Sequence, residues 1–368
     1  MQTLVNPGQA AKGHIGRIPI RNLWLLMLYA SDLTRFQGPF SALIDADLDE
    51  LPDLVARLLA KTVEARIRRN LTRNYHLQHR VLKRVRGRID VLTTECRQLL
   101  SKGEISCGFD ELTIDTPRNR LVRSALELMA RLVENRDLAR QCRSLANGLA
   151  QQGVRGCRPS RTELATDQIG RNDAADRMMV ALARLSFDLA LPTEEVGPTP
   201  FFAPDREETW VRRLFEKAIL GFARFELEPQ GWSIRGGVTL DWQVGSASDS
   251  VTDILPRMVT DIVLDPPSEG RRLVIDTKFT SILTNSRFGE ASLKSGYIYQ
   301  IYAYLRSQEG TSAHWDQASG MLLHPTVGEA LYESVVIQNH LIAFATVDLR
   351  GTPSAIRNEL RNVLQTWI

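Results

Sequence analysis

The stretch from Met258 to Phe279 constrains this chain more than any other. It reads Met-Val-Thr-Asp-Ile-Val-Leu, then Asp265-Pro266-Pro267-Ser268-Glu269-Gly270, then Arg-Arg-Leu-Val-Ile-Asp-Thr-Lys-Phe. Short β-branched runs on either side of a Pro, Asp and Gly segment predict two antiparallel strands joined by a turn. Centred on that turn, Asp261 falls nearly opposite Asp276. Alternation puts Val274, Asp276 and Lys278 on one face and Leu273, Ile275 and Thr277 on the other. Two carboxylates and one ammonium thus converge on one side of an apolar sheet. Hard divalent cations such as magnesium take oxygen ligands, usually one or two carboxylates with water and phosphate. A cation there offsets charge developing on a phosphodiester, and a neighbouring lysine orients the attacking water or stabilises the transition-state oxygens. A solvent-facing hairpin with an ordinary salt bridge has the same D…D-x-K spacing, and the spacing alone does not separate the two. The apolar residues crowding both faces argue for a partly buried sheet end, where unpaired charge is costly.

A length of 368 residues suits two or three domains, and 43% hydrophobic residues supply their cores. No apolar run approaches the roughly 20 residues that span a bilayer, and the first residues lack a signal-peptide core. The expectation is a soluble, cytoplasmic protein without a membrane partner. Cys96, Cys107, Cys142 and Cys157 are widely spaced, which indicates neither zinc nor a disulfide framework. The histidines show no ligand spacing, and no G-x-x-x-x-G-K-[ST] is present for nucleotide binding. The net charge of +3 is unevenly spread. Lys61, Arg66, Arg68, Arg69, Arg73, Arg80, Lys83, Arg84, Arg86 and Arg88 face one acid, Glu64. From Tyr75 to Val85 the pattern alternates, with Tyr75, Leu77, Val81 and Val85 on one side and Arg80, Arg84 and Arg86 on the other. That suits a strand with a cationic face, either solvated or in contact with phosphate or an acidic partner surface.

Residues 1–17 read as a loose tail and Leu23–Ala30 as a buried helix. Leu51, Leu54, Val55, Leu58, Leu59 and Val63 recur at helical spacing. Extended segments follow at Gly87–Asp90 and Gly108–Ile114, and Thr116-Pro117 starts a helix. A helical stretch ends at Gly153, and another covers Asp173–Leu191, stopped by Pro192. The Pro-rich run 192–204 is the expected linker between an N-terminal region, 1–191, and a C-terminal domain, 205–368. The latter reads as a helix at Glu207–Phe225, a strand at Val238–Trp242, the hairpin, a helix at Leu293–Ser307, strands at Met321–His324 and Val335–Val347, and a helix at Ser354–Trp367.

An αβββαβ order with acidic second and third strands is that of the PD-(D/E)xK nuclease fold, so the fold class expected is α+β with a mixed N-terminal region. Gln300 and Tyr304 form Q-x-x-x-Y on one face of the helix after the lysine strand. Gln300 is placed to position water or phosphate and Tyr304 to contact a DNA backbone; a surface glutamine over a core tyrosine is the alternative. Glu216 on the first helix is a weaker candidate for reaching the metal.

These features resemble the McrC family, the nuclease subunits of McrBC modification-dependent restriction systems. The markers are Ile18-Pro19-Ile20-Arg21-Asn22 before the apolar helix, Gly87-Arg88-Ile89-Asp90, Asn119-Arg120, and above all Leu255-Pro256-Arg257-Met258-x-Thr260-Asp261-Ile262 with Ile275-Asp276-Thr277-Lys278. Threonine stands for the usual proline before Asp261 and aspartate for glutamate before the lysine, and neither swap removes an oxygen ligand. The resemblance implies an McrB-like AAA+ GTPase hexamer as partner, which binds the GTP and recognises double-stranded DNA carrying modified cytosine. It implies that this chain docks through its N-terminal part and cuts DNA with its C-terminal domain. Asp261 and Asp276 would bind Mg2+ and Lys278 would assist the attacking water. Gln300 would complete the catalytic set, Tyr304 and Arg257 would contact DNA, and Arg80, Arg84, Arg86 and Arg88 would meet the partner ring. A stand-alone PD-(D/E)xK nuclease of repair or type II restriction is the alternative.

Overall fold

The structure is a computed structural model. It describes residues 14–15, 18–45, 48–167, 169–170, 173–194, 204–248, 250–268, 270–285, 291–326 and 330–367. The tail expected over 1–17 and the linker over 192–204 lie for the most part outside these residues.

In chain order the main elements are α1 (Ile20–Ala30), α2 (Leu51–Arg68), β1 (Asn74–Leu82), β2 (Arg88–Ile89), β3 (Ile105–Thr113), α3 (Pro117–Leu132), α4 (Arg136–Gln152) and α5 (Ala174–Glu194). They continue as α6 (Pro204–Leu227), β4 (Ser233–Leu240), β5 (Met258–Asp265), β6 (Leu273–Thr277), α7 (Ser295–Arg306), β7 (Ser319–Pro325), β8 (Tyr332–Ile337), β9 (His340–Val347) and α8 (Pro353–Trp367). The chain is α+β, and of its two larger sheets one is mixed and one antiparallel. It divides into two compact units, residues 1–51 with 188–368, and residues 52–187.

The first unit is built on a six-stranded sheet in the order β8-β9-β7-β6-β5-β4. β6, β7 and β9 run parallel, and β4, β5 and β8 run antiparallel to their neighbours. Val263, Val274, Leu322 and Phe344 pack with Ile301, Tyr304 and Leu305 of α7. Ile262, Leu264, Ile275, Met321 and Leu323 alternate with them and are also fully buried. Burial of both faces explains the near-continuous apolar runs of these strands.

Residues 1–51 join this unit, whereas the expected boundary at 192–204 groups them with the N-terminal region. α1 is buried on nearly all sides. Tyr29 meets Phe40 and Phe222 edge to face at 5.5 and 5.1 Å, and Asn22 Nδ2 donates to the carbonyls of Leu349 and Gly351 at 2.7 and 3.0 Å. Gly221 of α6 lets the two helices touch, since a Cβ there would collide with the Tyr29 carbonyl oxygen. Apart from Tyr29 with Phe40, these contacts join residues roughly two hundred or more positions apart, which a reading in chain order does not reach.

Two further boundaries differ from expectation. The strand expected over Val335–Val347 is a hairpin, β8 and β9, with Ile337 opposite His340. Gln338 and Asn339 both take positive φ, 46° and 71°, the backbone that a two-residue turn between twisted strands requires. α5 continues to Glu194, past Pro192. In the last turn a proline forgoes a single backbone hydrogen bond, so it need not end the helix where it stands.

The second unit sets α2, α3 and α4 beside the antiparallel sheet β1-β3-β2. Thr116 caps α3 as expected, its hydroxyl accepting from the Asn119 amide. Arg118, buried, pairs with Asp167 at 2.5 Å and with Asp176 at 3.3 Å, and Arg66 reaches Asp176 at 2.6 Å. Asn119 Nδ2 donates to the carbonyls of Thr72 and Ile114. A buried charge set this well paired holds α2, α3 and α5 in one arrangement.

Candidate active site

β5 and β6 pair antiparallel, with Ile262 opposite Ile275 and Val263 opposite Val274. Extended by one residue, that register sets Asp261 against Asp276. β7 adds on the other side of β6 with Leu322 beside Asp276. The carboxylate therefore sits at the C-terminal end of a strand within the parallel part of the sheet, where open α/β sheets bind ligands.

Asp276 is completely buried and Lys278 is 7% exposed. The Lys278 ammonium lies 2.6 Å from Asp276 Oδ2, while Oδ1 has no hydrogen-bond partner among the described residues. Burial pushes the Asp276 carboxyl up to about 6; Lys278 opposes the shift and the charge of Asp261 adds to it. Asp261 Oδ2 accepts from the Thr277 amide at 2.7 Å and from the Thr277 hydroxyl at 2.8 Å. Strict alternation puts Thr277 on the far face. The ladder closes at the Ile262–Ile275 pair, and beyond it the strands twist enough for Thr277 to reach Asp261.

Glu216 of α6 is half-buried. Burial, and next the charge of Asp261, raise its carboxyl above the usual range. Sequence position alone makes it one more helix glutamate; its closeness to Asp261 comes from how α6 lies on the sheet. Among the described residues no three carboxylate, histidine or cysteine side chains gather as a metal-binding group. Asp261 and Asp276 are two carboxylates, a number that suits magnesium, which ordinarily takes one or two from a protein. The unpaired Asp276 Oδ1 fits that use.

Gln300 and Tyr304 share a face of α7, and Gln300 Nε2 donates to the Tyr304 hydroxyl at 2.6 Å. Tyr304 is 5% exposed, and its hydroxyl donates to the Val259 carbonyl at 2.8 Å. It stands in the core bracing β5 and not on a surface open to a DNA backbone, since its large ring is needed beside Val263 and Leu322. Gln300 is half-buried and Arg257 exposed.

One buried group near the lysine was not singled out by sequence. His324, at the end of β7, is fully buried with Nδ1 2.8 Å from the Thr280 carbonyl. Burial first, then the charges of Lys294 and Lys278, depress it to about 4. A histidine closing the apolar run Met-Leu-Leu was the available signal.

Arg80, Arg84, Arg86 and Arg88 are all exposed. Arg80 lies 3.2 Å and Arg86 3.8 Å from Glu111, and Arg86 stacks over Phe109. The apolar side of β1 is also open: Tyr75 is 69% and Leu77 56% exposed, with Leu112 of β3 paired to Tyr75 and exposed as well.

Fold and site together define an α+β chain with a carboxylate–lysine centre on the inner strands of a mixed sheet. Residues 6–187 match the family described as McrBC 5-methylcytosine restriction system component. A type IV methyl-directed restriction enzyme of Escherichia coli K12, EcoKMcrBC, is 25% identical over 357 residues, 95% of this chain and 98% of the relative. Two solved structures are similar. One is a half-complex from a tetradecameric assembly of Thermococcus gammatolerans McrB AAA+ hexamers with bound McrC, at TM-score 0.45 and 16% identity, covering 95% of this chain and 76% of that one. The other is the McrBC complex of the same organism, at TM-score 0.31 and 21% identity, covering 48% and 58%. The chain belongs to the McrC family of McrBC restriction components.

Proposed function

We propose that this chain is the DNA endonuclease subunit of a McrBC-like modification-dependent restriction complex, with a PD-(D/E)xK centre in the unit of the six-stranded sheet. The observation that carries the reading is the ion pair of Lys278 with Asp276, on which the charge of Asp261 also acts, with Asp276 Oδ1 left unpaired in a buried place. An unpaired buried carboxylate oxygen costs free energy unless a ligand uses it. Asp261 and Asp276 would hold a divalent cation, Mg2+ in the first instance, whose charge offsets that developing on the phosphodiester. Thr277 fixes Asp261 through two hydrogen bonds to Oδ2, and Oδ1 would be the oxygen available to a cation. Lys278 donates from its ammonium to a phosphate oxygen or to the attacking water and stabilises the charge that forms. Glu216 tunes the site through its charge. Gln300, half-buried beside Tyr304, is left to orient water or phosphate, and Arg257 to meet the DNA backbone.

Membership in the family and likeness to a relative over nearly its whole length support a McrB-like AAA+ GTPase hexamer as partner and cytoplasmic DNA with modified cytosine as substrate. The surface proposed for the partner is the β1-β3-β2 sheet. Its exposed Tyr75, Leu77 and Leu112 and its exposed Arg80, Arg84, Arg86 and Arg88 give it open apolar and cationic patches, which mark interaction surfaces.

Replacing Asp276 with Ala should abolish cleavage of methylated DNA by the assembled complex while leaving binding to the GTPase unchanged. Full cutting by that variant defeats the assignment. Magnesium-dependent cutting by the purified chain alone points instead to a stand-alone nuclease.

A further inference from the structure

Next to the carboxylates lies a second small site with the opposite electrostatic character. A cavity of about 120 Å³ is lined by Thr209, Arg212, Lys278, Phe279, Thr280 and Tyr297. Among the described residues two cations and three hydroxyls line it, and no carboxylate does. The volume is several times what one water needs. Arg212 stands on α6 one turn before Glu216 and is exposed. It acts on Glu216 and Asp276 through its charge, lowering both carboxyls against the rise that burial causes. The hydroxyls of Thr280 and Tyr297 are 3.3 Å apart. The ammonium groups of Lys278 and Lys294 each lie 5.4 Å from the centre of the Tyr297 ring. Tyr297 belongs to the first turn of α7, the helix end with positive partial charge.

A guanidinium, an ammonium and hydroxyl donors without an acid select a tetrahedral oxyanion, and the planar fork of arginine suits two phosphate oxygens at once. Lys278 belongs to both this cavity and the carboxylate centre. We infer that the cavity seats the DNA phosphate next to the scissile one, with Arg212 as its main ligand and Thr280 and Tyr297 completing the cradle. The inference rests on the nuclease reading. Holding the neighbouring phosphate fixes the strand so that the scissile group meets Asp261 and Asp276 in one register. Arg212 is therefore a positioning residue: it binds substrate equally in the ground and transition states, and its loss falls on KM.

Two measurements test this. In the assembled complex cutting methylated duplex DNA, Arg212→Ala should raise KM about tenfold, the loss of one charge-assisted contact, with kcat within about twofold of wild type. Arg212→Lys should recover part of the loss, and Arg235→Ala, on β4, should change neither constant. In the isolated full-length chain without metal, thymidine 3′,5′-bisphosphate titrated by calorimetry should bind about tenfold more weakly to Arg212→Ala than to wild type. An unchanged KM together with unchanged bisphosphate affinity overturns the inference. So does a fall in kcat at constant KM, which would place the scissile phosphate itself in the cavity. Failure of wild type to cut any DNA would sink the nuclease reading, and the bisphosphate titration would still decide whether the cavity binds phosphate. Arg212 is exposed, so its replacement leaves folding intact, and equal thermal unfolding of variant and wild type checks that.

Discussion

Asp276 carries a charge that its surroundings resist, and this ties stability to function at a single carboxyl. Its folded value of about 6 lies above the ordinary 3.8. Between those values the folded protein keeps a proton that the unfolded chain has lost. The group's contribution is therefore full below about pH 4 and is lost as pH rises through about 6. Asparagine at this position does not titrate. The Tm of Asp276→Asn relative to wild type should rise across that window and then level off, by the equivalent of about 2–3 kcal/mol at most. Calorimetric unfolding at a series of pH values reads it, and a difference that stays flat would mean the carboxyl is not shifted. A cation needs the ionised form, so Mg2+ affinity measured by titration calorimetry should weaken below about pH 6 and disappear in Asp276→Ala. Asp261, Asp276 and Lys278 were legible in the sequence because a strand has a period of two and a turn fixes its centre. Thr277 was not, because its bonds to Asp261 depend on twist past the last ladder pair. Arg212 was not, because its place depends on how a helix lies across a sheet, and for the same reason Glu216 stood out only as a weak candidate.

At the scale of elements, β5 is held where it is by α7. Tyr304→Phe keeps the ring in the core and removes the donor to the Val259 carbonyl, two residues before Asp261. The variant should lose about 1 kcal/mol of stability by denaturant unfolding, with cleavage reduced but not abolished. Loss of all activity with unchanged stability would instead mean that the hydroxyl takes part in the chemistry. The contact of α1 with α6 makes a sharper case. Gly221→Ala puts a methyl group against a backbone carbonyl, which no side-chain rotation relieves, and should cost about 1–3 kcal/mol. Gly221 is one of many glycines in the sequence and nothing in its neighbours sets it apart; only the approach of α1 does. The β8–β9 turn was hidden for a related reason. Gln338-Asn339 lacks the glycine that usually marks a two-residue turn, so an apolar run read through it as one strand.

At the scale of the molecule, the chain assigns its two proposed tasks to different units. The carboxylate centre is in the unit formed by 1–51 and 188–368, and the open cationic sheet is in 52–187. The sequence pointed to both patches, but charge alone left phosphate and protein as equal partners for the second. The structure adds that the apolar side of β1 is exposed along with the arginines. The open side chains of Leu77 and Leu112 serve no nucleic-acid backbone contact, whereas a protein surface takes them. If that sheet meets the GTPase, reversing charge at Arg80, Arg84 and Arg86 to glutamate should abolish stimulation of GTP hydrolysis, because like charges across an interface cost several kcal/mol. Tyr75→Ala with Leu77→Ala should weaken association about tenfold or more without touching the arginines. Neither set of changes lies in the unit that holds the carboxylates, so both variants should bind Mg2+ and thymidine 3′,5′-bisphosphate as wild type does. Pull-down with the partner and a GTPase assay read the first effect, and calorimetry reads the second. Normal GTPase stimulation by the charge-reversed chain, with direct DNA binding lost instead, would move the arginines from the protein interface to the DNA.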